Sequence, residues 1–255
     1  MANLTTRPSR ALRTLFRSAL FSSVIFSSVL FSTTLLGLPL VAAAAQADST
    51  NQPKVSQLIT AAEEYALSGN YDEALPLYEM AIANLSEEPH RQNQLRYRYG
   101  IILNALGGQR PDLYPLARSQ FDVVLRYIES SPGIPFEHSA ARVRSAIAHT
   151  YHQHSAVQEN PNRRAVMLRN AYQLYASAIT DLRAEGDWQN LAITAFNIGQ
   201  VCEWQGNLEE AIEWLEQAVA LDRQYGLADL EEDQAYLTAL RELVNPQQPV
   251  GNTAI

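Results

Sequence analysis

The feature of this 255-residue sequence that most constrains its fold is one spacing of small and large residues that occurs four times. In each copy a small residue is followed four positions later by a large apolar residue, and three positions after that by another small or β-branched one. Steps of four and three add to seven, close to two helical turns, so the three side chains share one face of an α-helix. The copies are Ala74-Tyr78-Ala81, Ala117-Phe121-Val124, Ala171-Tyr175-Ala178 and Ala211-Leu215-Ala218.

Each of these segments is preceded by another apolar segment that has its own small residue. A second residue follows that small residue at the same interval, three positions later, in all four copies. The small residues are Ala62, Gly100, Ala148 and Gly199, and the residues that follow are Tyr65, Leu103, Tyr151 and Cys202. Small residues let two helices approach closely, and larger ones fill the space beside the contact. The pattern predicts four helix pairs, and it predicts that Cys202 is a core residue rather than a nucleophile.

Apolar residues recur at intervals of three and four from Val55 onward, which predicts helices throughout the body of the chain. Two kinds of helix end are expected. Asn160 before Pro161 suits a helix start, and glycines suit left-handed helix ends at positions 69, 107, 186, 206 and 226. The nine predicted helices lie near residues 55–68, 72–86, 90–106, 112–130, 137–155, 161–184, 188–205, 208–224 and 228–244.

The ninth helix has no partner, and its polar residues suit an outward face: Glu231, Glu232, Asp233, Gln234, Arg241 and Glu242. A helix of this kind closes the exposed end of a repeat array. The predicted fold class is therefore all-α, a right-handed α-solenoid of antiparallel helix pairs with a C-terminal capping helix. The predicted divisions are a leader (1–47), a linker (48–54), the helical domain (55–244) and a disordered tail (245–255).

Two segments resemble the tetratricopeptide repeat family. Residues 195–211, Ala-Phe-Asn-Ile-Gly-Gln-Val-Cys-Glu-Trp-Gln-Gly-Asn-Leu-Glu-Glu-Ala, follow its order of small residue, turn glycine and alanine-bearing second helix. Residues 65–74, Tyr-Ala-Leu-Ser-Gly-Asn-Tyr-Asp-Glu-Ala, do so as well. The resemblance extends over residues 55–244, but the equivalent alanines are separated by 43, 54 and 40 residues, all longer than the family period of 34. An irregular array is expected.

The resemblance implies that the first helices of successive pairs line a concave groove that binds a peptide or a partner helix. Groove positions lie one, four and five residues after the small packing residue, and three before it. Trp204 is the leading candidate contact, with packing against the neighbouring pair as the alternative. The implied partner-binding residues are Ile59, Glu63, Leu67, Tyr97, Ile101, Asn104, His149, His152, Phe196, Gln200, Glu203 and Trp204.

The first 47 residues have the three parts of a secretory signal. Four arginines precede an uncharged apolar run, and the run ends at the A-x-A sequence Ala45-Gln46-Ala47, which predicts cleavage before Asp48. An uncleaved membrane anchor is the alternative, because 30 uncharged residues could span a bilayer as a helix. The predicted destination is outside the cytoplasm, periplasmic or lumenal.

The net charge of −8 combines this basic leader with an acidic body, since removing the four leader arginines leaves −12. A body of this charge repels phosphate, so neither nucleic acid nor, after cleavage, an anionic membrane is an expected partner. The prediction is a neutral or basic protein or peptide partner, bound in a salt-sensitive way.

Catalysis has no sequence support, because no nucleophile elbow, phosphate loop or zinc motif is present. His149 and His152 share a helical face at a spacing that metal ligands use, which leaves a metal-binding protein as an alternative. The leading hypothesis is a non-catalytic scaffold or adaptor without cofactor or metal. A structural role in envelope or lumenal assembly is a further alternative.

Overall fold

The computed structural model describes the backbone of residues 52–245 and the side chains of residues 54–245. Regular structure in this part of the chain is entirely helical. The predicted leader and the tail beyond Asn245 lie outside the described residues. The helices are α1 (Gln52–Leu67), α2 (Tyr71–Asn84), α3 (Pro89–Leu106), α4 (Leu113–Ser130), α5 (Ala140–Val157), α6 (Pro161–Glu185), α7 (Trp188–Gln205), α8 (Leu208–Tyr225) and α9 (Leu230–Val244).

These helices correspond one to one with the nine predicted segments, and no end differs by more than three residues. Where a polar cap was expected, the cap is present: the Asn160 side chain accepts hydrogen bonds from the backbone N–H groups of Asn162 and Arg163. α5 starts later than predicted because Ser139 caps it, accepting a hydrogen bond from the Arg142 N–H. α1 starts earlier, at Gln52, within the predicted linker.

The helices pack in the order of the chain, as α1 with α2, α3 with α4, α5 with α6, and α7 with α8. Neighbouring pairs contact each other through α2–α3, α4–α5 and α6–α7, and α9 packs against α8. This arrangement is a linear array of antiparallel pairs, in which each pair buries its apolar faces against the next. None of the helices in residues 52–245 has both the length and the apolar character that crossing a membrane requires.

The four repeated triplets form the centre of the core, since none of their twelve side chains exposes more than 2% of its surface. The small residues of the preceding helices have the predicted close contacts. A Cβ at Gly100 would lie 2.7 Å from the Phe121 ring, and one at Gly199 would lie 2.8 Å from Cγ of Leu215. The spacing therefore predicted both the pairing of the helices and the residues at their contacts.

The predictions for Gly107 and Tyr65 were wrong. Gly107 is right-handed, with φ −54°, and the glycine is needed there because a Cβ would collide with the Tyr114 ring. The other four predicted glycines do adopt positive φ. Tyr65, at the position where Leu103 and Cys202 are fully buried, exposes 41% of its surface because no pair packs on the outer side of α1 in the described residues.

The face of α9 toward α8 is apolar, with Tyr236, Leu237 and Leu240 buried. Asp233, predicted to face outward, is also buried, next to the buried Asp222 of α8. Burial and the neighbouring Asp222 raise the pKa of Asp233 to about 9, so at neutral pH this carboxyl holds a proton and hydrogen-bonds Asp222. A capping role for α9 remains a prediction.

Candidate functional site

The first helices of successive pairs, α1, α3, α5 and α7, are joined by side chains at and beside the predicted groove positions. Glu63 of α1 pairs with Arg98 of α3. Further along the array, Ser145 of α5 is 2.9 Å, hydroxyl to hydroxyl, from Thr194 of α7. These contacts link α1 with α3 and α5 with α7, and we call the four first helices together the first-helix row.

The predicted binding residues differ widely in exposure. Four are buried: Tyr97, His152, Phe196 and Gln200. Leu67 is the most accessible, with 61% of its surface exposed. The others are partly buried: Ile59, Glu63, Ile101, Asn104, His149, Glu203 and Trp204. The accessible part of the row is therefore smaller than the sequence pattern implies, and the binding role of these residues remains a prediction.

Trp204 packs on the preceding pair, the alternative that the sequence left open. Its ring lies edge-on to the ring of His152, with 4.4 Å between centroids and 64° between planes. On another side, the Arg164 guanidinium carbon lies 5.8 Å from the Trp204 centroid, within reach of a cation–π interaction. Trp204 is only partly buried, so it contributes to the packing of α5 with α7 and leaves part of its ring exposed.

Two other predicted contact aromatics also join neighbouring elements. Tyr97 stacks on His138, just before α5, with centroids 3.9 Å apart. Phe196 of α7 meets Tyr236 of α9 edge-on at 5.2 Å. Sequence reasoning missed His138 as a contact residue, because it precedes its helix and belongs to no repeat position.

Charged side chains along the row are paired across helices. Arg142 of α5 donates to Asp187, the residue that caps α7, at 2.5 Å. Glu203 accepts a hydrogen bond from the Tyr236 hydroxyl, and burial raises the pKa of this carboxyl above its ordinary value. The Arg142–Asp187 ion pair and the Tyr236–Glu203 hydrogen bond thus link neighbouring repeats.

The candidate metal ligands His149 and His152 and the lone cysteine Cys202 all lie within the described residues. No group of three or more His, Cys, Asp or Glu side chains there is placed to hold a metal ion. His149 and His152 lie together on α5, but without a third ligand. Cys202 is fully buried, as predicted, and burial raises the pKa of its thiol to about 12, which keeps it protonated and unreactive.

The geometry thus defines a helical-repeat protein with an ordered row of first helices. A family model described as "Tetratricopeptide repeat" matches residues 167–224, which span most of α6 through nearly all of α8. The chain is similar to a solved structure of nearly identical TPR-like repeats assigned to a kinesin light chain of Podosopora anserina. The likeness has 16% identity and a TM-score of 0.51, and it covers 77% of this chain and 94% of that one. No curated protein matches the chain.

Together these findings confirm the predicted fold, a right-handed α-solenoid of antiparallel pairs. The tetratricopeptide repeat model is thus matched over residues 167–224, and the likeness to the solved structure extends the TPR-like fold to 77% of the chain. The matched residues include the segment 195–211 that carries the sequence resemblance. The earlier pairs lie outside the match, and their equivalent alanines are separated by 43 and 54 residues, longer than the family period of 34.

Proposed function

We propose that this protein is a non-catalytic scaffold that binds a partner protein or peptide along the row of first helices, with Trp204 as the central contact. Tetratricopeptide repeats mediate protein–protein interaction. The observation that carries the proposal is that Trp204 is partly exposed, flanked by Arg164, and held in a fixed orientation by His152. Tryptophan and arginine are enriched among residues that dominate binding energy.

The net charge of the chain after residue 47 indicates what kind of partner it would bind. The acidic body, at −12 for residues 48–255, favours a neutral or basic partner, and higher salt should weaken association.

We further propose that residues 1–47 are a cleaved export signal and that the mature protein acts in a periplasmic or lumenal compartment. Sequencing of the mature N-terminus tests this: a start at Asp48 supports the proposal, and an intact Met1 contradicts it.

Affinity capture from the exported fraction tests the binding proposal. Trp204→Ala should remove the captured partner or reduce its yield at least tenfold. Trp214→Ala is the matched control, because Trp214 is also partly buried but lies on α8, the second helix of the same pair. Equal capture by both variants and the natural chain would remove Trp204 from the binding surface.

Because Trp204→Ala also removes a packing contact, a more accessible position should be tested in parallel. Leu67→Arg changes an exposed residue of the first-helix row, and Met80→Arg changes an exposed residue of α2. Loss of capture with Leu67→Arg alone supports the row as the binding face. Loss with Met80→Arg alone would move the binding face to the second helices.

A further inference from the structure

His152 has an unusual environment for an ionisable side chain. It is fully buried, and neither Nδ1 nor Nε2 has a hydrogen-bond partner. The imidazole is surrounded by rings, with centroids at 4.4 Å for Trp204 and 6.4 Å for both His149 and Tyr175. A neutral imidazole has one donor and one acceptor, and leaving both unpaired in the interior costs free energy. Packing alone holds this side chain in place.

No carboxylate compensates a charge on either histidine. From α6, the Tyr175 hydroxyl lies 3.4 Å from Nδ1 of His149, and Arg164 lies over Trp204. From α7, Glu203 already accepts a hydrogen bond from Tyr236. From α4, Arg118 lies over the Tyr151 ring and 3.4 Å from Nδ1 of His154, further along α5. The Glu203 carboxyl is engaged by Tyr236 and the other named groups are neutral or positive, so a proton added to either ring gains no ion pair.

The response of such a pair to acid has a definite sign. Burial lowers the pKa of His149 to about 4 and that of His152 to about 3, from an ordinary value of 6.5. Below pH 6.5 an opened junction therefore binds protons that the closed junction excludes. Each histidine multiplies the open-to-closed ratio about tenfold per pH unit until its folded pKa is reached.

We propose that His149 and His152 form an acid-sensitive latch between the third and fourth helix pairs, and that protonation of either ring releases Trp204 from α5. The release separates α7 from α5 locally while the pairing within α5–α6 and α7–α8 persists, since the triplets that hold those pairs are apolar. The inference concerns the junction itself and is independent of whether Trp204 contacts a partner.

The test uses the full chain with Trp188→Phe and Trp214→Phe, which leaves Trp204 as its one tryptophan. Trp204 fluorescence and helical circular dichroism are followed from pH 7.5 to 3.5. We expect Trp204 emission to change at least half a pH unit above the loss of helicity. Adding His149→Gln and His152→Gln should merge the two transitions, whereas His154→Gln, on the same helix but beside Arg118, should leave them separate.

Coincident transitions in the parent chain, or an equal effect of His154→Gln, would overturn the latch. If the double glutamine variant fails to fold at pH 7.5, amide hydrogen exchange of the natural chain tests the latch instead. Corrected for intrinsic rates, exchange in the C-terminal turns of α5 and α7 should rise more than tenfold between pH 6 and pH 5, while α1–α4 change little. A uniform rise over all helices would contradict the proposal.

Discussion

The first and fourth helix pairs follow the same sequence spacing but differ in packing. In the fourth pair, Gly199 lets Leu215 approach α7 closely, and Cys202 is fully buried. In the first pair the small residue is Ala62, and the side chains that follow it, Tyr65 and Leu67, are exposed by 41% and 61%. Within residues 52–245, the fourth pair packs against both α6 and α9, whereas the first pair has one such neighbour, α3. The spacing thus determines pairing within repeats, and the neighbouring elements determine burial.

The largest predicted effect is the loss of a buried side chain from the second helix of the fourth pair, measured against an exposed side chain on the second helix of the first pair. Leu215→Ala removes a fully buried side chain and should lower the free energy of unfolding by about 2–5 kcal/mol. Met80→Ala changes a side chain that is 52% exposed and should change it by less than about 0.5 kcal/mol. Urea unfolding followed by circular dichroism measures both free energies. Equal effects of the two substitutions would contradict the difference in burial between Leu215 and Met80.

A smaller difference is expected at the close helix contacts. Gly199→Ala places a Cβ 2.8 Å from Leu215 Cγ and 3.1 Å from the Ala211 carbonyl oxygen, and this overpacking should cost about 1–3 kcal/mol. The reverse change, Ala62→Gly, should cost about 0.5–1 kcal/mol, mainly through backbone entropy. Matched urea titrations of the two variants compare the contacts, and a stabilising Gly199→Ala would show that the fourth pair is not tightly closed.

A pH-dependent change is predicted at the outer side of the fourth pair, where Asp222 of α8 meets Asp233 of α9. The folded pKa of Asp233, about 9, lies above its ordinary value of 3.8, so the carboxyl destabilises the fold as pH rises from 4 to 9. Asp233→Asn imitates the protonated form. It should raise Tm at pH 8 by at least about 2–4 °C, the shift that about 1 kcal/mol produces in a domain of this size. At pH 4 it should have little effect, and a lower Tm at pH 8 would contradict the shared proton.

The sequence was sufficient for the helices and their pairing because both depend on local periodicity and on small residues such as Gly100 and Gly199. It was insufficient where packing between repeats determines whether a side chain is buried or exposed. The groove pattern selected Tyr97 and His152 as accessible, but stacking of the first helices buries them. Gly107 has an ordinary right-handed backbone, and its need for glycine comes from the Tyr114 ring, which no local signal indicates.

The same limit applies to Asp233, whose polar side chain suggested an outward face although α9 turns it toward Asp222. In each case the residue pattern correctly predicts the helix itself, but it carries no information on which other helix a given side chain contacts. The binding role of the row is a further step again, since it depends on a second molecule.

The central claim is that the first-helix row is the surface that binds a partner. Site-specific photo-crosslinking tests it most directly, with a photoreactive amino acid placed at Ile101 on α3, at Gln153 on α5, and at Glu213 on α8 as the control. We expect the same partner to crosslink from positions 101 and 153 and not from position 213. Crosslinking from position 213 alone would contradict it.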